Sequence, residues 1–202
     1  MVSMQKTAIF GWAFTPPTLW HKKVITELLD KKIVWKIILC PDGIRDDKDF
    51  DVTQTERKEM VLLFYADLVK SRYNVKLCLN FLADTSWKHT TTFDVNLFFE
   101  SSLWVSPYHI FGTDVIPGIP TWTGNPEHFI EKKLYKIFVS RPGHAFINEI
   151  WMENFEIAPI EWIEISSSQV REAIKKWEGW KDFLSKNIAQ FIEENSLYTG
   201  KK

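Results

Sequence analysis

Cysteine is scarce in this sequence: Cys40 and Cys78 are the only two in 202 residues. Each closes a predicted strand, so they read as buried free thiols in a reducing compartment. Long apolar runs are missing too. None approaches the roughly 20 residues that a membrane span requires. The opening MVSMQKTAIF runs straight into a strand and leaves no room for a signal peptide. The expectation is a cytoplasmic protein with no membrane partner. Neither sign of charge is in excess, since 25 Lys and Arg stand against 26 Asp and Glu, for a net charge of -1. That balance provides no general field for nucleic acid.

Motifs of common chemistry are missing as well. No G-x-x-x-x-G-K-(S/T) loop occurs, which argues against the NTPase class. His89, His109, His128 and His144 lack metal-ligand spacing and read as structural or surface residues. The loop Pro41–Asp49 carries four aspartates, but not in the D-x-D-x-D-G order of a calcium loop. No protein-held metal is expected. There are no internal repeats and no low-complexity segments. Ten tryptophans are many for this length, and most must serve packing because no single site uses ten.

What is present is organised around Lys6–His21, KTAIFGWAFTPPTLWH. Thr7-Ala8-Ile9-Phe10 has the character of a buried parallel strand. Gly11 breaks the run, and Pro16-Pro17 forbid a helix until they are passed. Leu19, Val24, Ile25, Leu28 and Leu29 then recur at helical spacing. Strand, glycine turn and helix N-terminus in that order make an anion site, because free backbone N–H groups point at whatever sits there. Thr18 and His21 share a face at the start of that helix, placing a hydroxyl and an imidazole at the anion site.

Further strands are expected at Ile33–Cys40, Val75–Leu79, Tyr108–Phe111, Lys136–Val139 and Glu161–Ile165. Helices are expected at Thr53–Ser71, from Thr90 to about Phe99, at Ser168–Lys176 and at Phe183–Glu193. Alternating short apolar strands and helices argue an α/β fold, a doubly wound Rossmann-like parallel sheet with helices on both faces. Residues 1–202 read as one domain, with a C-terminal helical part at about 166–196 and a disordered Lys201-Lys202 end. Ligands of such sheets bind beyond the carboxyl ends of the strands, at the switch point.

Gly11, Phe14, Pro16, Thr18 and His21 match the pattern G-x-x-F-x-P-x-(H/T)-x-G-H, and Ile165–Arg171 matches I-S-S-(S/T)-x-x-R. With these motifs, in this order and at opposite ends, the chain resembles the adenylyltransferases related to class I aminoacyl-tRNA synthetases. Four further elements resemble the nicotinate/nicotinamide mononucleotide branch: Glu56-Arg57-x-x-Met60, Thr91–Val95, Phe111-Gly112-Thr113-Asp114 and Arg141-Pro142-Gly143. The resemblance spans about Thr7 to Ser196.

It implies a nucleotidyltransferase of the NAD biosynthesis pathway. AMP would pass from ATP to nicotinate or nicotinamide mononucleotide, with release of pyrophosphate. His21, Thr18 and Arg171 are the implied catalytic residues. Gly11, Phe14, Ser166, Ser167, Ser168, Gly112 and Asp114 are implied on the ATP side. Lys48, Thr92, Trp122 and Arg141 are implied on the mononucleotide side. Magnesium would travel with the triphosphate. The loop holding Lys48 and Arg45 also reads as a plain solvated loop, and the threonines near Thr92 as a helix cap.

Two departures stand out: Trp12 replaces the second glycine of the family's start, and Trp20 the glycine before the final histidine. The Trp20 indole either crowds the adenine or points away onto base or core. Pantetheine-phosphate adenylylation is the alternative transfer, and a nucleotide-binding homologue with weakened or lost catalysis is another. A homo-oligomer is left open.

Overall fold

The computed structural model describes residues 6–43, 51–83, 91–104, 106–121, 134–140, 144–148, 151–160, 163 and 165–200. Lys48, Trp122 and Arg141 lie outside the described residues, as do Arg45, Thr90 and the Lys201-Lys202 end.

Six strands form one sheet: β1 (Thr7–Phe10), β2 (Lys36–Leu39), β3 (Val75–Leu77), β4 (Tyr108–Gly112), β5 (Tyr135–Val139) and β6 (Phe155–Ala158). All neighbours pair parallel, in the order β3-β2-β1-β4-β5-β6. The chain winds outward from β1 in one direction, then returns and winds outward from β4 in the other. The switch point, where a crevice opens, therefore lies between β1 and β4.

Side chains alternate across this sheet with the period of two that a strand imposes. Ala8, Phe10, Ile37, Leu39, Ile110, Ile137 and Val139 face one core. That core is closed by Val24, Ile25 and Leu28 of α1 (Leu19–Asp30) and by Met60, Phe64 and Leu68 of α2 (Gln54–Lys70). Ile9, Ile38 and Cys40 face the other side, onto Phe81 and Phe99. Those two belong to the single turn α3 (Asn80–Ala83) and to α4 (Thr92–Leu103). The doubly wound sheet with helices on both faces is thus what the strand pattern implied.

Most expected boundaries shift for local reasons. β2 starts at Lys36 rather than Ile33, because Ile33 N–H still turns back to the Leu28 carbonyl at the end of α1, at 3.0 Å. The edge strand β3 ends at Leu77. Helix α2 is capped by Thr53, whose hydroxyl accepts the Glu56 N–H at 3.2 Å while the Glu56 carboxylate accepts the Thr53 N–H at 2.6 Å. Helix α4 runs on to Leu103, stopped by Trp104 in the left-handed region. The chain closes with α5 (Ser167–Lys176), a 3₁₀ turn (Trp180–Phe183) and α6 (Lys186–Glu194).

Of the expected last strand Glu161–Ile165, Glu161, Trp162 and Glu164 lie outside the described residues, and Ile163 and Ile165 are not in a strand. The sixth strand is Phe155–Ala158, and Ile165 lies in a turn with its N–H on the Ile163 carbonyl at 2.7 Å. β6 is an edge strand with Ile157 exposed, so it carries no continuous apolar run. The more apolar stretch after it buries Ile160 and Ile165 from irregular backbone instead.

Candidate active site

Beyond β1 the chain turns through Gly11–Pro17 with Phe14 in the left-handed region (φ 52) and a cis Thr15-Pro16 bond. The buried Phe14 ring packs against Phe10, His21 and Phe64. Thr18 then caps α1. Its backbone N–H donates to His21 Nδ1 at 2.9 Å, and its hydroxyl lies 2.8 Å from the same nitrogen. A backbone N–H can only donate, so Nδ1 is the acceptor and the neutral ring carries its proton on Nε2. The capping residues therefore set the tautomer of His21. Both side chains are buried, and Phe10, Trp12 and Phe14 surround the imidazole at centroid distances of 6.1, 5.9 and 5.2 Å.

The two tryptophans in glycine positions go different ways. Trp20 is in the main core, so its indole does not crowd the crevice. Trp12 lies edge-to-face on His21, and its Cζ2 stands 4.0 Å from where a Cβ on Gly112 would be. Its ring thus reaches from β1 toward β4, across the switch point.

The C-terminal motif packs directly on this loop. Ser166 caps α5, its hydroxyl accepting the Gln169 N–H at 3.1 Å. Ser167 donates its hydroxyl to the Pro16 carbonyl at 2.9 Å. Arg171 donates to the Thr15 carbonyl at 2.8 Å and to the Ser168 hydroxyl at 3.2 Å, with the Asp51 carboxylate 3.7 Å away. Two signatures some 150 residues apart in sequence therefore meet in space. Ser168 and Arg171 of this motif stand about one turn apart on α5, which Ser166 caps.

Gly112, Asp114 and Thr92 complete the other wall. A Cβ on Gly112 would stand 2.2 Å from Asp114 Oδ1, so only glycine lets that carboxylate fold back over the end of β4. Gly11, Asp42, Thr92 and His109 line one cavity at the carboxyl ends of β1, β2 and β4. Thr91 rather than Thr92 caps α4, accepting the Asp94 N–H at 3.2 Å, which leaves Thr92 on the first turn beside the cavity.

Two residues escaped the sequence reading of the site. Arg57 is fully buried and donates to the carbonyls of Ala13 (2.7 Å), Gly43 (3.3 Å) and Asp42. One guanidinium thereby joins the loop after β1 to the loop after β2. Its motif was visible, but nothing in the spacing says that an arginine inside a helix turns inward. His109 on β4 is the second; it is buried and its Nε2 meets Asn96 Oδ1 at 3.1 Å. Burial first, and then the charge of Lys136 opposite it on β5, pull its pKa down to about 3. Burial likewise pulls Lys136 down to about 8. A neutral imidazole thus sits in the cavity wall, where the sequence alone suggested a structural or surface histidine.

No family model matches the chain. A probable nicotinate-nucleotide adenylyltransferase of Clostridium tetani is 24% identical over 204 residues, covering 96% of this chain and all of its own length. The nicotinate-nucleotide adenylyltransferase of Salmonella typhimurium is 23% identical over 226 residues, covering 98% of this chain and all of its own. Among solved structures, Plasmodium falciparum nicotinic acid mononucleotide adenylyltransferase complexed with NaAD superimposes with a TM-score of 0.81 at 20% identity, over 96% of this chain and 97% of that one. Its complex with APC gives 0.77 at 19% identity, over the same shares. At such identities the structural likeness is one of fold.

Proposed function

We propose that this chain is a divergent member of the nicotinate/nicotinamide mononucleotide adenylyltransferase family, on its full-length likeness to such enzymes, and that it transfers AMP from ATP to a pyridine mononucleotide. The 5′-phosphate oxygen of the mononucleotide attacks the α-phosphorus of ATP. The bond from that phosphorus to the bridging α–β oxygen breaks, and pyrophosphate leaves. Little covalent work falls to the protein, so rate comes from alignment and from stabilising developing charge.

The observation that carries the reading is the contact between the two signatures. Arg171 and Ser167 hold the Thr15 and Pro16 carbonyls, and so place a guanidinium fork and a helix N-terminus beside the Thr18–His21 cap. His21 Nε2–H is the donor assigned to an α-phosphate oxygen, with Thr18 fixing its ring. Arg171 takes the β- and γ-phosphates, and the N-terminus of α5 with Ser166–Ser168 supplies further donors. Gly11 and Phe14 shape the loop that approaches ATP, and Gly112 and Asp114 form the facing wall. Thr92 serves the mononucleotide together with Lys48, Trp122 and Arg141. Magnesium enters with the triphosphate. Asp42 and Asp114 are hard oxygen donors beside the crevice that could share it. The reaction is assigned to the cytoplasm; among the described residues no helix is long and apolar enough to cross a membrane.

Trp12 favours a second reading, a nucleotide-binding homologue without turnover, because its indole lies across the switch point. Pyrophosphate release from ATP separates the two, measured with nicotinate mononucleotide, nicotinamide mononucleotide and phosphopantetheine in turn. The proposal expects release with a pyridine mononucleotide. It also expects His21→Ala to lower turnover by about 10²–10³, the loss of one preorganised donor, with ATP binding largely kept. Turnover of phosphopantetheine alone, or none at all with ATP still bound, would overturn the transfer reading.

A further inference from the structure

Cys40 and Cys78 follow β2 and β3 directly, and β2 and β3 pair in parallel with Leu39 opposite Leu77. The Cys78 N–H continues that ladder by donating to the Leu39 carbonyl at 2.8 Å. The two cysteines are therefore the next pair along, on chains that neighbour each other at about 4.8 Å. That spacing lies inside the roughly 4.4–6.8 Å between Cα atoms that a disulfide spans. Both side chains also leave the sheet on one face. Cys40 joins Ile38, Phe81 and Phe99, and Cys78 packs against the same cluster. The two thiols therefore neighbour each other on that face.

They are not equivalent. Cys40 is buried and Cys78 only half so, which leaves Cys78 as the one that a small reagent reaches. The thiol contact and the Asn80 N–H outweigh its burial and bring Cys78 down to about 7, while the same contact and burial push Cys40 up.

We propose that Cys78 is a thiol modification site that exchanges with low-molecular-weight disulfides and then closes onto Cys40, forming an intramolecular disulfide at the mouth of the crevice. The Cys78 thiolate attacks one sulfur of the reagent, the reagent's S–S bond breaks, and one reagent thiolate leaves. Cys40 then gives up its proton to a departing thiolate and attacks the Cys78 sulfur, expelling the second reagent half. Both protein thiols are oxidised and the reagent disulfide is reduced to two thiols. Cys40 lines the cavity with Gly11 and Asp42, so the new bond would tie one wall of the crevice to the β3 loop.

The test is incubation of the native chain with oxidised glutathione, followed by thiol counting and intact mass. With no other cysteine in the sequence, the stoichiometry is unambiguous. The expected result is loss of both thiols with no retained glutathione. Cys40→Ser should instead hold one glutathione on Cys78, and Cys78→Ser should react slower by on the order of tenfold. A wild-type chain that keeps a stable glutathione adduct, or keeps both thiols, overturns the proposal, as does Cys78→Ser reacting as fast as wild type. None of these readouts uses the adenylyltransferase reaction, so a chain without that activity leaves the test intact.

Discussion

Arg57 offers the sharpest test of how the crevice is held together. Its guanidinium is fully buried and donates to three backbone carbonyls, those of Ala13, Gly43 and Asp42. Replacement by Met keeps most of the volume and the apolar stem but leaves those carbonyls without this donor. A hydrogen bond to a charged group contributes about 1.5–3 kcal/mol, and an orphaned buried acceptor costs about 1–3 kcal/mol. The Gly43 contact is long at 3.3 Å, and both loops can relax, so the three are not summed in full. Two effective contacts give an expected loss of about 3–5 kcal/mol. Against a typical total of about 5–15 kcal/mol, that is a large share. Urea unfolding of wild type, Arg57→Met and Arg57→Lys measures it. Met should lower the midpoint at constant slope, and the slope times that shift should equal the loss. Lys should recover only part, since an ammonium cannot serve three separated carbonyls as a planar fork does. A loss below about 1 kcal/mol for Arg57→Met would show that the two loops are held by something else, and the reasoning would fail.

Arg171→Ala removes the donor to the Thr15 carbonyl and the proposed phosphate fork together. ATP affinity or turnover should fall by about 1.5–3 kcal/mol, the value of a charge-assisted contact; unchanged ATP binding and rate would remove Arg171 from the site. His109→Gln tests the buried imidazole. A group depressed to about 3 binds its proton more readily in the unfolded chain. Its stabilising contribution is therefore complete above the unfolded value of about 6.5 and is lost as pH falls toward 3, by up to about 1.4 kcal/mol per pH unit. Unfolding free energies between pH 6 and 4 should fall less steeply in the Gln variant, and parallel profiles would refute the assignment.

The fold was legible because its interior strands repeat one simple signal. Ala8-Ile9-Phe10 and Ile37-Ile38-Leu39 are buried on both faces, so an unbroken apolar run and a central parallel strand are the same statement. β6 obeyed a weaker rule. With one neighbour and Ile157 exposed, it needed no such run, and the more apolar segment beyond it was read as the strand instead. The site was legible where chemistry fixes spacing, as in Thr18 to His21 and Ser168 to Arg171. It was not legible where a role depends on tertiary direction. Nothing local distinguishes Arg57 from the exposed Lys58 beside it, or His109 from a surface histidine, until neighbouring strands are in place.

Trp12 and Trp20 show how the same substitution at two glycine positions can have different structural consequences. Trp20 falls on the second turn-position of α1, where its indole points into the core beneath the sheet and adds buried apolar surface there. That burial is favourable on its own, and the crevice is untouched. Trp12 comes before the helix, on a loop whose backbone is already committed. Its carbonyl accepts the Asp42 N–H at 3.1 Å, which ties this loop to the one after β2. The indole is left to pack on what the crevice offers, Phe10 at 4.7 Å and His21 at 5.9 Å. An aromatic edge against the His21 ring restricts that ring's rotation much as the Thr18 cap fixes its tautomer. The space a glycine would have left open to a ligand is thus used here to hold the imidazole, and any nucleotide at this switch point meets an indole face where the family pattern has bare backbone.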